Sequence, residues 1–255
     1  MDTLRMPAEW VNRPIRVALI GCGGTGSEMF DELFRMHTLM LALGGDGLHV
    51  TAYDPDVVST ANIGRQRFWP ADVGYPKAEV LVNRINNFGG SHWEFVDEAF
   101  SEHVFTNDRI SYDLLITCVD VPEVRAMIGH HAQDDNNFGV EQLWLDCGND
   151  SNSGNVILGH FNVSHGQKNM RIPNVFDLYP VLGDMEGSDQ PSCSTAEALQ
   201  RQDYGINRAV AREGASLLWQ LFRHGALSRH GSYIDLQAGS VIPLLIDKEI
   251  WKSYH

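Results

Sequence analysis

The sequence predicts an α/β fold: a doubly wound, mostly parallel sheet extended by C-terminal antiparallel strands. Three observations carry that expectation. Short apolar runs alternate with helix-period segments from RVALIG to QLWLDCGND, the pattern of parallel strands joined by crossover helices. A glycine-rich turn, IGCGGTGSE, joins the first run to the first helix. The last runs, SYIDLQAG and SVIPLLID, read as a hairpin.

The elements follow in order. RVALIG (16–21) is a short β-rich run and a buried strand. SEMFDELFRMHTLMLAL is a helix with an apolar stripe of Met29, Leu33, Phe34, Met36, Leu39 and Met40. LHVTAYD (48–54) is the second strand, KAEVLVNRINNF from Lys77 the second helix, and HWEFVDEAF begins the third strand. YDLLITCVD is nearly all apolar, as expected of a strand covered on both faces. VPEVRAMIGHHAQ is a helix, and QLWLDCGND and NVILGHFN are strands. Residues 167–192 have no clear period and are rich in Pro, Gly, Asn and Asp, so they read as a long functional loop or a partly disordered one. A helical run then extends from STAEAL to FRHG, with a break expected near Gly205. Nothing resembles a linker. We expect one domain over 1–255: a nucleotide-binding core at 14–160, an irregular loop at 161–192, and a helix and hairpin at 193–255.

Composition narrows the function. The chain has 255 residues, 43% of them hydrophobic, and a formal net charge of -14. That balance argues against nucleic-acid binding, which needs basic surface. No apolar run is long enough for a bilayer, and MDTLRMPAEW lacks the apolar centre of a signal peptide; the expectation is a cytoplasmic protein. Cys22, Cys118, Cys147 and Cys193 are scattered with no CxxC pair, so neither a zinc site nor a disulfide framework is expected. His130, His131, His160 and His165 are assigned to surface or hydrogen-bonded core positions.

The glycine loop carries the first chemical signal. Gly21, Gly23 and Gly26 match GxGxxG between a strand and a helix, with Gly24 beside them. Backbone amides at such a helix start face an anion, and glycine admits a phosphate closely. Asp54, at the end of the second strand, is placed to hold ribose hydroxyls; it lies beyond the usual ~20 residues because the first helix is long. A nicotinamide enzyme would need no more. Here YDPDVVSTANIGRQ and DVGYPK add Arg65 and Lys77, cations that suit a triphosphate. Asp120 ends a strand at the carboxyl edge, where a carboxylate can hold Mg²⁺ bridging phosphates. Arg67 is read as a surface charge paired with Asp56 or Asp72. Cys193, in PSCST before a helical run, occupies a setting that favours the thiolate. The other three thiols are read as structural.

GCGGTGSE, YDPDVVSTANIGRQ, DVGYPKAE and ITCVD, in this order, resemble the ThiF/MoeB/HesA superfamily, relatives of the ubiquitin-activating enzymes, over roughly residues 14 to 160. PSCSTAEALQRQDYGINRAVARE and the YIDLQAGSVIPLLID tail look like the ThiF-related member of PRTRC cassettes of bacterial plasmids and mobile elements. The resemblance implies a Rossmann-like adenylyltransferase that binds ATP and Mg²⁺ and activates a C-terminal carboxylate, on a small ubiquitin-like or sulfur-carrier protein, as acyl-AMP. It implies a bacterial homodimer. It assigns ribose to Asp54, phosphates to Asn62, Arg65 and Lys77, Mg²⁺ to Asp120, and a following thioester to Cys193; Asp56 and Gln66 also match the family pattern. Two features depart from it: the zinc-binding CxxC pairs are missing, and no segment before Pro14 matches the one that supplies an arginine to a partner's site, for which Arg5 and Arg13 are the candidate substitutes. The alternatives are a peptide or small-molecule carboxylate as substrate, or a non-catalytic nucleotide-binding scaffold.

Overall fold

The computed structural model describes residues 3–106, 111–133, 140–163, 171–184 and 204–251. A two-residue strand β1 (Leu4–Arg5) precedes the first long one, β2 (Ile15–Ile20), whose hydrophobic side chains are buried. Helix α1 (Gly24–Ala42) follows, and its buried residues Met29, Phe30, Leu33 and Met36 recur at helical spacing. Then come β3 (Leu48–Tyr53), α2 (Lys77–Gly89), β4 (Glu94–Val96) and a single turn, α3 (His103–Thr106). The fully buried β5 (Leu114–Thr117) leads into α4 (Pro122–Gln133), β6 (Gln142–Asn149) and β7 (Ser153–Asn162). The chain closes with α5 (Val175–Leu178), α6 (Ile206–His224), β8 (Ala226–Leu227), β9 (Arg229–Asp235), β10 (Ser240–Leu245) and α7 (Lys248–Trp251).

Among the described residues one sheet has the order β10-β9-β7-β6-β5-β2-β3-β4. From β6 to β4 every neighbouring pair is parallel; β6–β7, β7–β9 and β9–β10 are antiparallel. Helices α1, α2 and α6 share one apolar face of the sheet, while α4, α5 and α7 contribute to the other. The fold is therefore the expected one, doubly wound and extended by antiparallel strands. The chain leaves β2 toward β3 on one side, and β5 lies on the other. That reversal opens a crevice at the carboxyl ends of the strands.

Three differences from the sequence expectations have physical reasons. β1 pairs with β8 and ties the amino terminus to the end of α6; two-residue strands leave no periodic signal. Within the segment expected to be irregular, residues 171–184 hold α5, whose N-cap Asn174 is fully buried and accepts from Phe176 N and Asp177 N. β7 also runs into that segment, to Asn162. Near the expected break, α6 begins at Ile206 and Gly205 takes φ +97°, a left-handed conformation suited to glycine; the run before Tyr204 lies outside the described residues. No described helix is long and apolar enough to cross a membrane.

Candidate functional site: a two-ended cleft

Gly21 starts the site because the chain must turn sharply off β2. It takes φ +91°, and a Cβ there would stand 2.7 Å from the carbonyl oxygen of Cys118. Gly26 serves packing: a Cβ at this position would run into the carbonyl of Gly21. Gly21, Gly23 and Gly24 line the cleft, whereas Gly26 lies behind it. The N-cap of α1 is Gly23, with no side-chain cap and no acid in the first turn. The first amides of a long helix thus face the cleft free of a competing carboxylate, the arrangement that receives an anion.

Asp54 sits just past β3 and is 5% exposed. Its carboxylate accepts from Cys22 N at 2.6 Å and Asp56 N at 2.9 Å. Burial raises its pKa, opposed by the Lys77 charge and by these two bonds. Beyond it, the loop 54–76 is tied at its base. Val57 bridges Pro76, and Lys77 N donates to the carbonyl of Asp56 at 2.9 Å. Lys77 is consequently returned beside Asp56, with Nζ 2.7 Å from its carboxylate; Lys77 is 7% exposed, while the Asp56 side chain is largely in solvent. At the middle of the loop, Asn62 Oδ1 accepts from Ser59 N at 2.8 Å and closes a helical turn. The Asn62 carbonyl then accepts from Gln66 N, and the turn sets Arg65 and Gln66 against the cleft. Burial lowers the pKa of Arg65, and the Asp120 charge across the cleft opposes this.

Nine expected ligand residues thus line one cleft: Gly21, Gly23, Gly24, Asp54, Asp56, Asn62, Arg65, Gln66 and Lys77; Asp120 joins them from the loop after β5. Among the described residues no three His, Cys, Asp or Glu side chains converge as a metal cage. A cation at Asp120 would therefore share its coordination with phosphate oxygens, as Mg²⁺ commonly does. Cys193 lies outside the described residues. Arg67 does not line the cleft and pairs with neither Asp56 nor Asp72. It is bonded to Asp31, and Arg84 takes Asp72 at 2.9 Å. Arg13 is held by Asp113 at the amino end of β5, opposite the cleft.

Burial raises the Cys22 thiol well above its usual range, and Cys118 is raised by its hydrogen bond to Cys147 and by burial. His160 accepts from Ile172 N at 2.9 Å through Nδ1 and meets Glu141 through Nε2, so it is a satisfied core residue.

Sequence reasoning missed two parts of the cleft. Thr25 Oγ1 lies 2.9 Å from Asn149 Oδ1 and 3.0 Å from Asn207 Oδ1, stitching the start of α1 to β6 and α6. The Asn207 side chain packs where a Cβ on Gly24 would be. Farther along, Arg125 of α4 donates through Nε to Asp146 Oδ1 of β6 at 2.6 Å, Thr117 donates to the same oxygen at 2.6 Å, and Trp144 Nε1 donates to Thr117. Burial lowers the pKa of Arg125, but the Asp146 charge and hydrogen bond outweigh it. The only local hint was an arginine in the first helical turn after Asp120. The whole cleft encloses about 1350 Å³, beyond the roughly 300–1,000 Å³ of an ordinary small-molecule site.

Comparison with known proteins gives a consistent picture. The ThiF family profile matches residues 12–217. Ubiquitin-like modifier-activating enzyme 5 of Oryza sativa subsp. japonica is 27% identical over 165 residues, covering 57% of this chain and 35% of that protein. Its counterpart in Arabidopsis thaliana is 26% identical over 168 residues, with the same shares covered. The chain therefore spans about a third of the length of these curated relatives. Among solved structures, E. coli MccB superposes with a TM-score of 0.59 at 15% identity, covering 93% of this chain and 64% of MccB. PaaA gives 0.58 at 18% identity, covering 91% and 64%. At these identities the likeness is one of fold.

Proposed function

The chain belongs to the ThiF family, and from that premise we propose that it is an ATP-dependent adenylyltransferase. Its substrate would be the C-terminal carboxylate of a small ubiquitin-like or sulfur-carrier protein. The observation that carries this proposal is the convergence, in one cleft, of an uncapped helix start, a buried carboxylate at the end of β3, two cations and an acid at the end of β5. A nucleotide-binding scaffold has no need to set Arg65 opposite Asp120.

In this proposal Asp54 holds the ribose through the remaining lone pairs of its carboxylate. The amides at the start of α1 and the Asn62 amide bind phosphate oxygens. Arg65 and Lys77 stabilise the charge that builds at the α-phosphate, the kind of preorganised neutralisation that lowers such barriers most. Lys77 would exchange its contact with Asp56 for one to phosphate. Mg²⁺, held by Asp120, would neutralise the departing pyrophosphate. A carboxylate oxygen attacks the α-phosphorus, the bond to the pyrophosphate oxygen breaks, and acyl-AMP and pyrophosphate result. Cys193 is the proposed acceptor of a following thioester, with AMP leaving. Homodimer formation, a cytoplasmic setting and a PRTRC-cassette origin complete the proposal. MccB has been solved with ATP and with MccA, which supports a nucleotide and a peptide sharing a fold of this kind.

The test is carboxylate-dependent exchange of labelled pyrophosphate into ATP. Wild-type protein should catalyse it, and Asp120→Ala should reduce it by about 10²-fold or more. Tight ATP binding with no exchange, whatever carboxylate is supplied, would favour the scaffold instead.

A further inference from the structure

Resting on the adenylation proposal, we infer that the buried Arg125–Asp146 pair reads a main-chain amide of the acceptor, so that the enzyme prefers a peptide C-terminus to a small carboxylic acid. Arg125 is 9% exposed and lines the cleft. It spends Nε on Asp146 Oδ1, and neither Nη nitrogen has an acceptor among the described residues. Asp146, 1% exposed, receives both Arg125 and Thr117 on Oδ1. Its Oδ2 accepts no hydrogen bond among the described residues. Arg125 and Asp146 both line the cleft, so these Nη donors and Oδ2 are available to an occupant that presents a matching acceptor and donor.

Charge decides what that occupant is. The pair is neutral as a whole, so it offers donors and an acceptor with no net field for a phosphate or carboxylate. A peptide group matches it: its carbonyl accepts from the Nη donors, and its N–H donates to Oδ2. The anions of the reaction already have Arg65 and Lys77 at the other end of the cleft. The surroundings agree. Val124, Tyr179, Leu182 and Tyr233 belong to one apolar cluster with Trp144 and line the cleft, an apolar surface suited to an extended chain, and Asp150 and Asp235 line the cleft as well. Thr117 and Trp144 fix Asp146 from behind, so the pair is held in place before any ligand arrives.

The experiment compares two acceptors in pyrophosphate exchange, N-acetyl-Ala-Gly-Gly and propionate. Wild-type protein should show a KM for the tripeptide at least tenfold below that for propionate. Arg125→Lys keeps a cation beside Asp146 but loses the forked donors, and should raise the tripeptide KM at least tenfold while leaving the propionate KM within about twofold. ATP titration and thermal unfolding of the variant establish that it is folded. If it is not, Asp146→Asn carries the test, with the same expected rise for the tripeptide alone. An unchanged tripeptide KM in a folded variant, or exchange with propionate as efficient as with the tripeptide, overturns the inference and leaves adenylation standing. Absence of exchange with both acceptors contradicts adenylation, and the inference falls with it.

Discussion

At the glycine-loop end the cleft is made of helix-start amides, a buried Asp54 and cations on a pinned loop; at the β6 end a single ion pair sits among tyrosines and aliphatic side chains. The first end is organised to receive charge. Its cations are partly desolvated: Lys77 is bonded to the exposed Asp56, and Arg65 feels the charge of Asp120, interactions that an incoming anion can replace. At the second end the Arg125–Asp146 pair cancels its own charge and is held by Thr117, which Trp144 supports in turn. One end thus rests on an ion pair with a largely exposed partner, and the other on a pair fixed by buried hydrogen bonds.

The antiparallel half adds a pH dependence of its own. His230 in β9 is fully buried, its Nδ1–H donates to the Leu158 carbonyl, and Trp251 Nε1 donates to Nε2 at 3.0 Å. Burial, with a lesser contribution from His160, lowers its pKa to about 4. The unfolded chain titrates near 6.5 and binds more protons between these values, so stability is lost as pH falls from about 6.5 to about 4. Full protonation removes roughly 3 kcal/mol. Urea unfolding from pH 7 to pH 4.5 should show a steeper loss for wild type than for His230→Gln. Equal slopes would mean that this half of the fold does not depend on the neutral imidazole.

A smaller effect marks the boundary of the charged end. Arg67 lies two residues from Arg65 but is bonded to Asp31 outside the cleft. Arg67→Ala should cost about 1 kcal/mol in unfolding and leave ATP affinity within about threefold. A tenfold loss of affinity would extend the cationic wall past Arg65.

These contrasts also explain what the sequence disclosed. The parallel core was legible because β2, β3 and β5 are buried along most of their length, so their residues are mainly apolar, broken only by Arg16 near the start of β2, His49 and Thr51 in β3 and Thr117 at the end of β5. The grouping of residues at the glycine-loop end was legible because its parts are local: a loop and its helix, or a strand end and the segment after it. Other parts were hidden by distance. Arg125 and Asp146 are 21 residues apart on different elements, and only the packing of α4 against β6 joins them. Thr25 and Asn207 are 182 apart. α5 did have a signal, since Asn174 and Asp177 form a capping pair, but it was masked by the Pro and Gly around it. The partner of Arg67 was misjudged because Asp31 is on α1 and has no sequence proximity to it.

The central claim is that Lys77, Arg65 and Asp54 form a nucleotide site, and calorimetric titration of ATP with Mg²⁺ into wild type and Lys77→Ala tests it most directly. Wild type should bind with one site per chain, and removal of the buried ammonium should weaken binding at least tenfold. Equal affinity in the two proteins, or no binding to wild type, would contradict it.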